Sequence, residues 1–454
     1  MYSDGFFSID ETNGFLPIKD PLVKLPDKYN LLQELTDSIP NLITCPNAIV
    51  GPTESLDDFT NLLSSETDPF VLQALFRAYC FVASAYTLEL AYQTFVQTGE
   101  YGQARQILPA NIAKPFVQVA SMLDVYPWLD YHYAYSLGNY VKKDKLGSLD
   151  WKNLDMGCRF TNSPDEVGFI MVHVYINELS PKLIQGINNQ NLKLLSETIE
   201  QMNCRRRDMW VASRHERYND FRVFIMGIKG NDKIFGDGLV YSGCGDSNEP
   251  RQYRGQTGAQ DNIIPSLDIF TGIVDYYPEN KLTEYLMDLR TYRPKCVQNF
   301  LHDLRDKYKS SKLVDRLIGL GDITGLIYLL KIVDQVYLFR NGHWQFVQKY
   351  IMSNVKYAFA TGGTPITSWL INQIEAVLEY ERVLIRQIEG MCVTGSGLQQ
   401  LNPEVKDIWD GLASSYGSKR KLLEEQVAEL AKSNYNVELV YKYNSEANLE
   451  DRSL

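Results

Sequence analysis

No two cysteines in this chain stand at C-x-x-C or C-x-x-C-H spacing, and the seven present, Cys45, Cys80, Cys158, Cys204, Cys244, Cys296 and Cys392, are odd in number and widely spaced. That excludes a cysteine zinc site and a c-type haem attachment, and predicts reduced, cytosolic thiols. Positive charge is also scarce: 45 Lys and Arg against 56 Asp and Glu leave a net charge of −11. Such a surface repels a phosphate backbone, so neither a nucleic-acid nor an anionic-membrane partner is expected. The spacings H-E-x-x-H, G-x-S-x-G, G-x-x-x-x-G-K and a strand-linked G-x-G-x-x-G are all missing. Met1 to Gly5 show neither a basic n-region nor an apolar h-region, so no secretory leader is predicted. The most apolar stretch, Phe70 to Val96, is interrupted by Arg77 and Glu89 and falls short of about 20 uninterrupted apolar residues. It reads as a buried core helix of a soluble, cytoplasmic protein.

What is present is ordinary for a globular chain: 454 residues, 44% hydrophobic and 22% charged. At this length one core rarely keeps growing, so two domains are expected. A polar stretch over 142–165 marks the boundary and divides the chain into 1–158, 159–400 and a C-terminal extension over 401–454. Residues 1–68 are broken by turn formers such as Asn13-Gly14 and Gly51-Pro52. From Asp68 the apolar period becomes helical, with Asp68 as N-cap and Pro69 at the first helical position. Further helical patterns cover 109–124, 166–179, 181–203, 260–275, 281–308, 322–355, 366–390 and 404–432, and Asp130 to Tyr140 is taken as helical too. The fold class is all-α. The Gly-rich stretch from Lys229 to Gly258 predicts a long loop that touches a ligand, and the charged 417–454 tail reads as a solvated helix with a disordered end.

Five histidines, His132, His173, His215, His302 and His343, limit the candidates. His343 follows a long apolar helical pattern, and Val336, Val347 and Tyr350 place it on the buried face. A neutral buried imidazole is a good haem-iron ligand, and Arg340 one turn earlier reaches a carboxylate of the same group. On residue physics alone, a satisfied core histidine ranks ahead.

A series of short motifs then carries a resemblance: Asn13-Gly14-Phe15-Leu16-Pro17 with Leu25-Pro26-Asp27-Lys28-Tyr29, Ile107-Leu108-Pro109-Ala110-Asn111-Ile112-Ala113, Gly168-Phe169, Met226-Gly227-Ile228-Lys229-Gly230-Asn231, Asp237-Gly238-Leu239-Val240-Tyr241, Gly255-Gln256-Thr257-Gly258-Ala259-Gln260 and Ala360-Thr361-Gly362-Gly363-Thr364. In their order and spacing from residue 13 to 364 the chain resembles the indoleamine 2,3-dioxygenase family of haem proteins. The resemblance implies a smaller N-terminal α domain covering the distal side of a large helical domain that holds haem b. It also implies a reaction: ferrous haem with O2 opens the pyrrole ring of tryptophan to give N-formylkynurenine, in the kynurenine pathway of tryptophan catabolism.

Carried over residue by residue, His343 resembles the proximal ligand of the haem iron, Arg340 the propionate-binding arginine, and Asp268 an acidic residue that supports the proximal side by fixing the imidazole tautomer. Thr257, Gly258 and Ala259 resemble the small-residue turn that passes close over the haem. Arg222 resembles the arginine that holds the substrate carboxylate, and Phe169 the aromatic that packs the indole. Thr361-Gly362-Gly363 resembles a loop that closes on the substrate's ammonium and carboxylate end. His132 and Tyr135 align with pocket-lining positions, and Tyr218, rather than Arg217, with the family's second pocket aromatic.

One departure carries chemistry. His173, four residues after Phe169, stands where mammalian members carry a small hydroxyl residue; the related tryptophan 2,3-dioxygenases use a distal histidine to bond the indole N–H, so the expected role of His173 is to orient the substrate. The alternative is a histidine turned away onto a backbone carbonyl. The implied partners are an indole amino acid and a cellular reductant that keeps the iron ferrous. Competing readings are a divergent member acting on another indole or a modified tryptophan in secondary metabolism, as does the aminopyrrole-forming enzyme of pyrrolnitrin biosynthesis, and a haem sensor without turnover.

Overall fold

The computed structural model describes residues 2–245, 249–277, 281–352, 361–362, 366–393 and 401–432. Twelve helices of eight residues or more order these segments: α1 Asn30–Leu42, α2 Pro69–Thr98, α3 Ala110–Met122, α4 Pro164–Asn177, α5 Ser180–Asn188, α6 Leu192–Arg206, α7 Ile263–Thr271, α8 Lys281–Arg290, α9 Lys295–Ser310, α10 Ile323–Phe346, α11 Ile366–Val393 and α12 Pro403–Lys432. Strand structure among the described residues is confined to two pairs, parallel β1 (Ile107–Leu108) with β4 (Val240–Tyr241) and antiparallel β2 (Tyr140–Lys142) with β3 (Leu154–Met156). The fold is all-α, and its apolar core runs without a break from Phe6 to Val427.

α2 forms because Asp68 accepts the Phe70 N–H at 2.8 Å, Pro69 occupies the first turn, and Gly99 ends the helix at φ 78°. It is apolar on all sides and has the length and composition to cross a membrane, yet that stretch is wholly buried inside this fold. Its two internal charges are compensated. Arg77 Nη1 donates to the Gly138 carbonyl at 2.8 Å, and Glu89 pairs with Arg105 at 2.7 Å.

Several sequence expectations are corrected here. The pattern over 181–203 is two helices, α5 and α6, and that over 281–308 is α8 and α9, because a single apolar period does not register a short break. Asp130 to Tyr140 is no helix: only a π-helical turn, Tyr131–Tyr135, forms, with Asp130 accepting the Tyr133 and Ala134 N–H groups, before the chain enters β2. α12 is not simply solvated, since Val405, Trp409, Leu423 and Val427 are buried and Lys419 reaches Asp334 of α10 and Glu381 of α11, the latter at 2.8 Å. The end of the tail, 433–454, lies outside the described residues.

Two glycines set the site's architecture. A Cβ on Gly227 would lie 2.0 Å from the Gly255 nitrogen, and one on Gly255 would lie 2.3 Å from the Gly227 nitrogen, so the two backbones cross in direct contact. At this crossing Gly227 N–H donates to the Thr361 carbonyl at 2.7 Å. The long Gly-rich loop is thereby anchored just before Gly258 comes up to His173 of α4.

Candidate functional site

A cavity of about 220 Å³ opens where α4, α7, α8, α10 and the turn 257–259 meet. α4 starts firmly, with Pro164 in its first turn and Ser163 as its cap, and presents Phe169 and His173 to the cavity four residues apart. α10, capped by Asp322 on the Gly325 N–H at 2.8 Å, presents Arg340 and His343 and then widens into a π turn, Val347–Met352, that brings Val347, Tyr350 and Ile351 to the wall. The turn 257–259 is held by a capping box between Thr257 and Gln260. A Cβ at Gly258 would stand 3.5 Å from His173 Cε1, so Gly258 lies beside that imidazole, and Thr257 and Ala259 border the same cavity.

The His343 side is apolar with one buried ion pair. Arg340 Nη2 donates to Asp268 Oδ2 at 2.6 Å and to the Tyr277 hydroxyl at 2.8 Å, Nη1 donates to the Gln373 carbonyl at 3.0 Å, and Tyr277 donates to the same Asp268 oxygen. Asp268 Oδ1 is buried without a hydrogen bond. Burial pushes the Asp268 carboxyl up against the pull of Arg340. Burial, with the Arg206 charge adding to it, lowers His343 to about 4, so its imidazole is neutral at pH 7. The ring faces the cavity, and among the described residues nothing hydrogen-bonds it; Asp268 is committed to Arg340 and Tyr277.

The His173 side is polar. His173 Nδ1 lies 3.3 Å from the Tyr131 hydroxyl, which donates to Asp261 Oδ2 at 2.7 Å. Asn177 Nδ2 donates to the same carboxylate oxygen at 2.7 Å. Phe169 packs against Tyr218 at 5.0 Å and Phe221 at 5.7 Å between ring centroids, and Tyr218 borders the cavity. Thr361 also borders it, held by its hydroxyl on the Gln256 carbonyl at 2.8 Å, while the Gly362 carbonyl accepts from Tyr285 at 3.0 Å. Gly363 lies outside the described residues.

Three expected wall residues stand elsewhere. His132 is fully buried with Nε2 on Asn262 Oδ1 at 3.1 Å, and Tyr135 packs between Phe81 and Phe160 with its hydroxyl 3.3 Å from Glu166. The π-helical turn brings Tyr131, not His132 or Tyr135, to His173, because its residues do not follow the 3.6 period. Arg222 is wholly buried one layer back, with Nη1 3.4 Å from the Tyr101 hydroxyl and its charge acting on Tyr218, whose hydroxyl burial raises to about 12. Sequence reasoning missed Tyr131, Asn177, Asp261, Tyr277, Arg290 and Arg293. Asn177 was accessible to it, since it follows His173 by four residues on the same helix.

The charge balance of the cavity bears on what fills it. Arg206, Arg290, Arg293 and Arg340 border it against two carboxylates, Asp261 and Asp268. Arg293 is held by neutral acceptors, the Ala259 carbonyl at 2.9 Å, the Asp261 carbonyl at 3.1 Å and Asn262 Oδ1 at 3.1 Å, and burial lowers it to about 9. Burial lowers Arg206 to about 10 and moves Arg290 down as well. Cations placed this way disfavour their own charge unless an anion joins them. Among the described residues no group of three or more His, Cys, Asp or Glu converges on a point. An iron held here must therefore bring most of its own ligands. One neutral imidazole, an apolar wall and surplus arginines fit an iron porphyrin with its two carboxylates.

Comparison with known proteins agrees with this chemistry. The family model described as indoleamine 2,3-dioxygenase matches residues 4–364. Indoleamine 2,3-dioxygenase 2 of Mus musculus is 28% identical over 406 residues, spanning 83% of this chain and 94% of its own. Indoleamine 2,3-dioxygenase 1 of Rattus norvegicus is 26% identical over 317 residues, 66% of this chain and 73% of its own. Indoleamine 2,3-dioxygenase of Saccharomyces cerevisiae is 24% identical over 379 residues, 76% and 79% respectively.

Proposed function

This chain belongs to the indoleamine 2,3-dioxygenase family and is a dioxygenase, and from that premise we propose that it inserts both atoms of O2 across the indole 2,3 double bond of L-tryptophan or a related indoleamine, giving N-formylkynurenine. The observation that carries this reading is that one cavity is bordered by the neutral imidazole of His343, which nothing hydrogen-bonds among the described residues, by four arginines against two carboxylates, and by the Phe169 and His173 face. The family is generally haem-dependent. Here His343 would hold the iron of haem b, Arg340 and Arg290 would face its carboxylates, and the bound ferrous group would supply the activation of O2.

The protein's own residues bind and orient. Phe169, backed by Tyr218 and Phe221, offers a flat aromatic surface to the indole. His173 beside it takes the indole N–H. Thr361, tied over the turn 257–259, excludes water from the reacting face. The substrate's carboxylate is assigned to Arg222 acting through Tyr218, which borders the cavity and feels the Arg222 charge. A reductant must keep the iron ferrous. Seven free cysteines accord with a reducing compartment, the cytoplasm.

The position of Arg222 behind the wall favours one second reading, an indole without a free carboxylate or a modified tryptophan as the physiological substrate. Both readings meet one test: mass spectrometry of the product formed by the reduced, haem-loaded protein with labelled dioxygen and, in parallel, L-tryptophan and tryptamine. Gain of two labelled oxygens from tryptophan supports the first, gain from tryptamine alone supports the second, and no product from either overturns both.

A further inference from the structure

Around Asp261 the hydrogen bonds have directions as well as lengths. Its Oδ1 accepts the Ile263 N–H at 2.8 Å, and its Oδ2 accepts from Asn177 Nδ2 and from the Tyr131 hydroxyl, both at 2.7 Å. An ionised carboxylate has no hydrogen to give, so the single hydroxyl hydrogen of Tyr131 points at Asp261. The Tyr131 oxygen then has only lone pairs for its other neighbour, His173 Nδ1 at 3.3 Å. That nitrogen must be the donor. A neutral imidazole carries one N–H, and burial keeps His173 neutral, with the nearby Asp261 charge opposing. With its hydrogen committed to Nδ1, Nε2 is bare; no residue hydrogen-bonds it among those described, and the ring borders the cavity.

We propose that Asp261, acting through the Tyr131 hydroxyl, is a positioning residue that fixes His173 as its Nδ1–H tautomer and so turns an unprotonated Nε2 toward the cavity as the acceptor for the substrate's indole N–H. The proposal rests on the functional reading above for its substrate, but the wiring itself is a property of the protein alone. Asn177 braces the arrangement, bonding Asp261 and the His173 carbonyl, the latter at 3.0 Å. Arg293 supplies the balancing cation: its charge is felt by Asp261 and Tyr131, and it bonds the Asp261 carbonyl. A bare, desolvated acceptor favours a ring that brings an N–H and penalises one that brings a methyl group there.

Substituting the carboxylate by an amide gives a test that a merely structural role would not pass. In Asp261→Asn the side-chain oxygen keeps the Ile263 N–H while the amide nitrogen donates to Tyr131, and the Asn177 amide turns its otherwise unbonded Oδ1 toward that nitrogen at the cost of its bond to the His173 carbonyl; the chain is thereby reversed, the Tyr131 hydrogen turning to His173 Nδ1 and the imidazole proton moving to Nε2. The measurement is the pair of ring ¹⁵N shifts of His173 in histidine-labelled holoprotein, in the diamagnetic ferrous carbonyl form, assigned by its loss in His173→Gln. Expected are an Nδ1–H ring in the parent, an Nε2–H ring in Asp261→Asn and a mixture in Tyr131→Phe. Dissociation constants for L-tryptophan and 1-methyltryptophan, read from the haem absorption, should differ by roughly tenfold or more in the parent and by less than about threefold in both variants. An Nε2–H ring in the parent, or a tautomer unmoved in both variants, overturns the proposal. Because the shifts need no substrate, failure of tryptophan to bind or react would count against the functional reading, while the tautomer alone decides whether the wiring is as proposed.

Discussion

Behind His173 stand a tyrosine and an aspartate, Tyr131 and Asp261; near His343 stand another such pair, Tyr277 and Asp268. Both carboxylates belong to one stretch of chain, two residues before α7 and within it. On the His173 side the phenol bridges carboxylate to imidazole. On the His343 side the phenol and Arg340 both bond Asp268 Oδ2, and the imidazole is left out. The difference lies in one cation. Arg340 bonds both Asp268 and Tyr277 and closes that group on itself, so one histidine is held through its Nδ1 while the other has no hydrogen-bond partner among the described residues. Similar residues thus bind one imidazole and leave the other without a hydrogen bond among the described residues.

The sharpest break of this contrast is His343→Ala, which should abolish haem retention, seen as loss of the Soret band from purified protein, while His173→Ala keeps it. Equal retention in the two variants would reverse the assignment. Next comes Asp268→Ala, which strands the Arg340 guanidinium in a buried site and should cost about 3–5 kcal/mol in denaturant unfolding; a cost below about 1 kcal/mol would mean the pair is not buried as described.

A third test concerns His132, beneath the His173 side. Burial first, then the Arg293 charge, lowers it to about 3, against the bond to Asn262. The unfolded chain takes up this proton near pH 6.5 and the folded one only near 3, so the unfolded state binds more protons throughout that window. Stability is present above about pH 6.5 and lost as the pH falls, by about 2 kcal/mol at pH 5. His132→Gln should flatten that acid limb while keeping the bond to Asn262, as followed by urea unfolding from about pH 7 to about pH 5. The smallest effect is expected from Arg222→Ala: haem retained, and tryptophan affinity lower by about tenfold, roughly 1.4 kcal/mol, with tryptamine unchanged. A matching loss for tryptamine would assign Arg222 to packing instead.

The helical fold was legible because α2 and α10 stay apolar over many turns, α11 keeps a helical apolar period, and α2 and α4 carry Asp68-Pro69 and Ser163-Pro164 at their starts. Breaks within a period were not, as α5 with α6 shows. Of the site, Phe169 and the turn 257–259 could be named from motifs, His343 and Arg340 from a buried helical pattern and the family resemblance, and His173 as a departure from that family's pattern, and all of them border the cavity. The residues that orient them were hidden for physical reasons. A π turn decides which member of Tyr131-His132-Tyr133 faces α4, and Arg293 is brought by α9's start to carbonyls more than 30 residues away in the chain. Neither relation has a periodic signature.

The crossing of Gly227 with Gly255 bears on the order in which the protein is made. Thr361 completes that crossing by bonding Gln256, 105 residues earlier, and at roughly 5–20 residues per second a ribosome needs about 5 to 20 s to cover the gap. For that interval the walls built by α4 and the turn 257–259 have been synthesised and their cover has not. The imidazole of His343 follows that turn by 84 residues and precedes Thr361 by only 18, so a flat ligand that needs this imidazole gains its anchor only when synthesis of the wall is nearly finished.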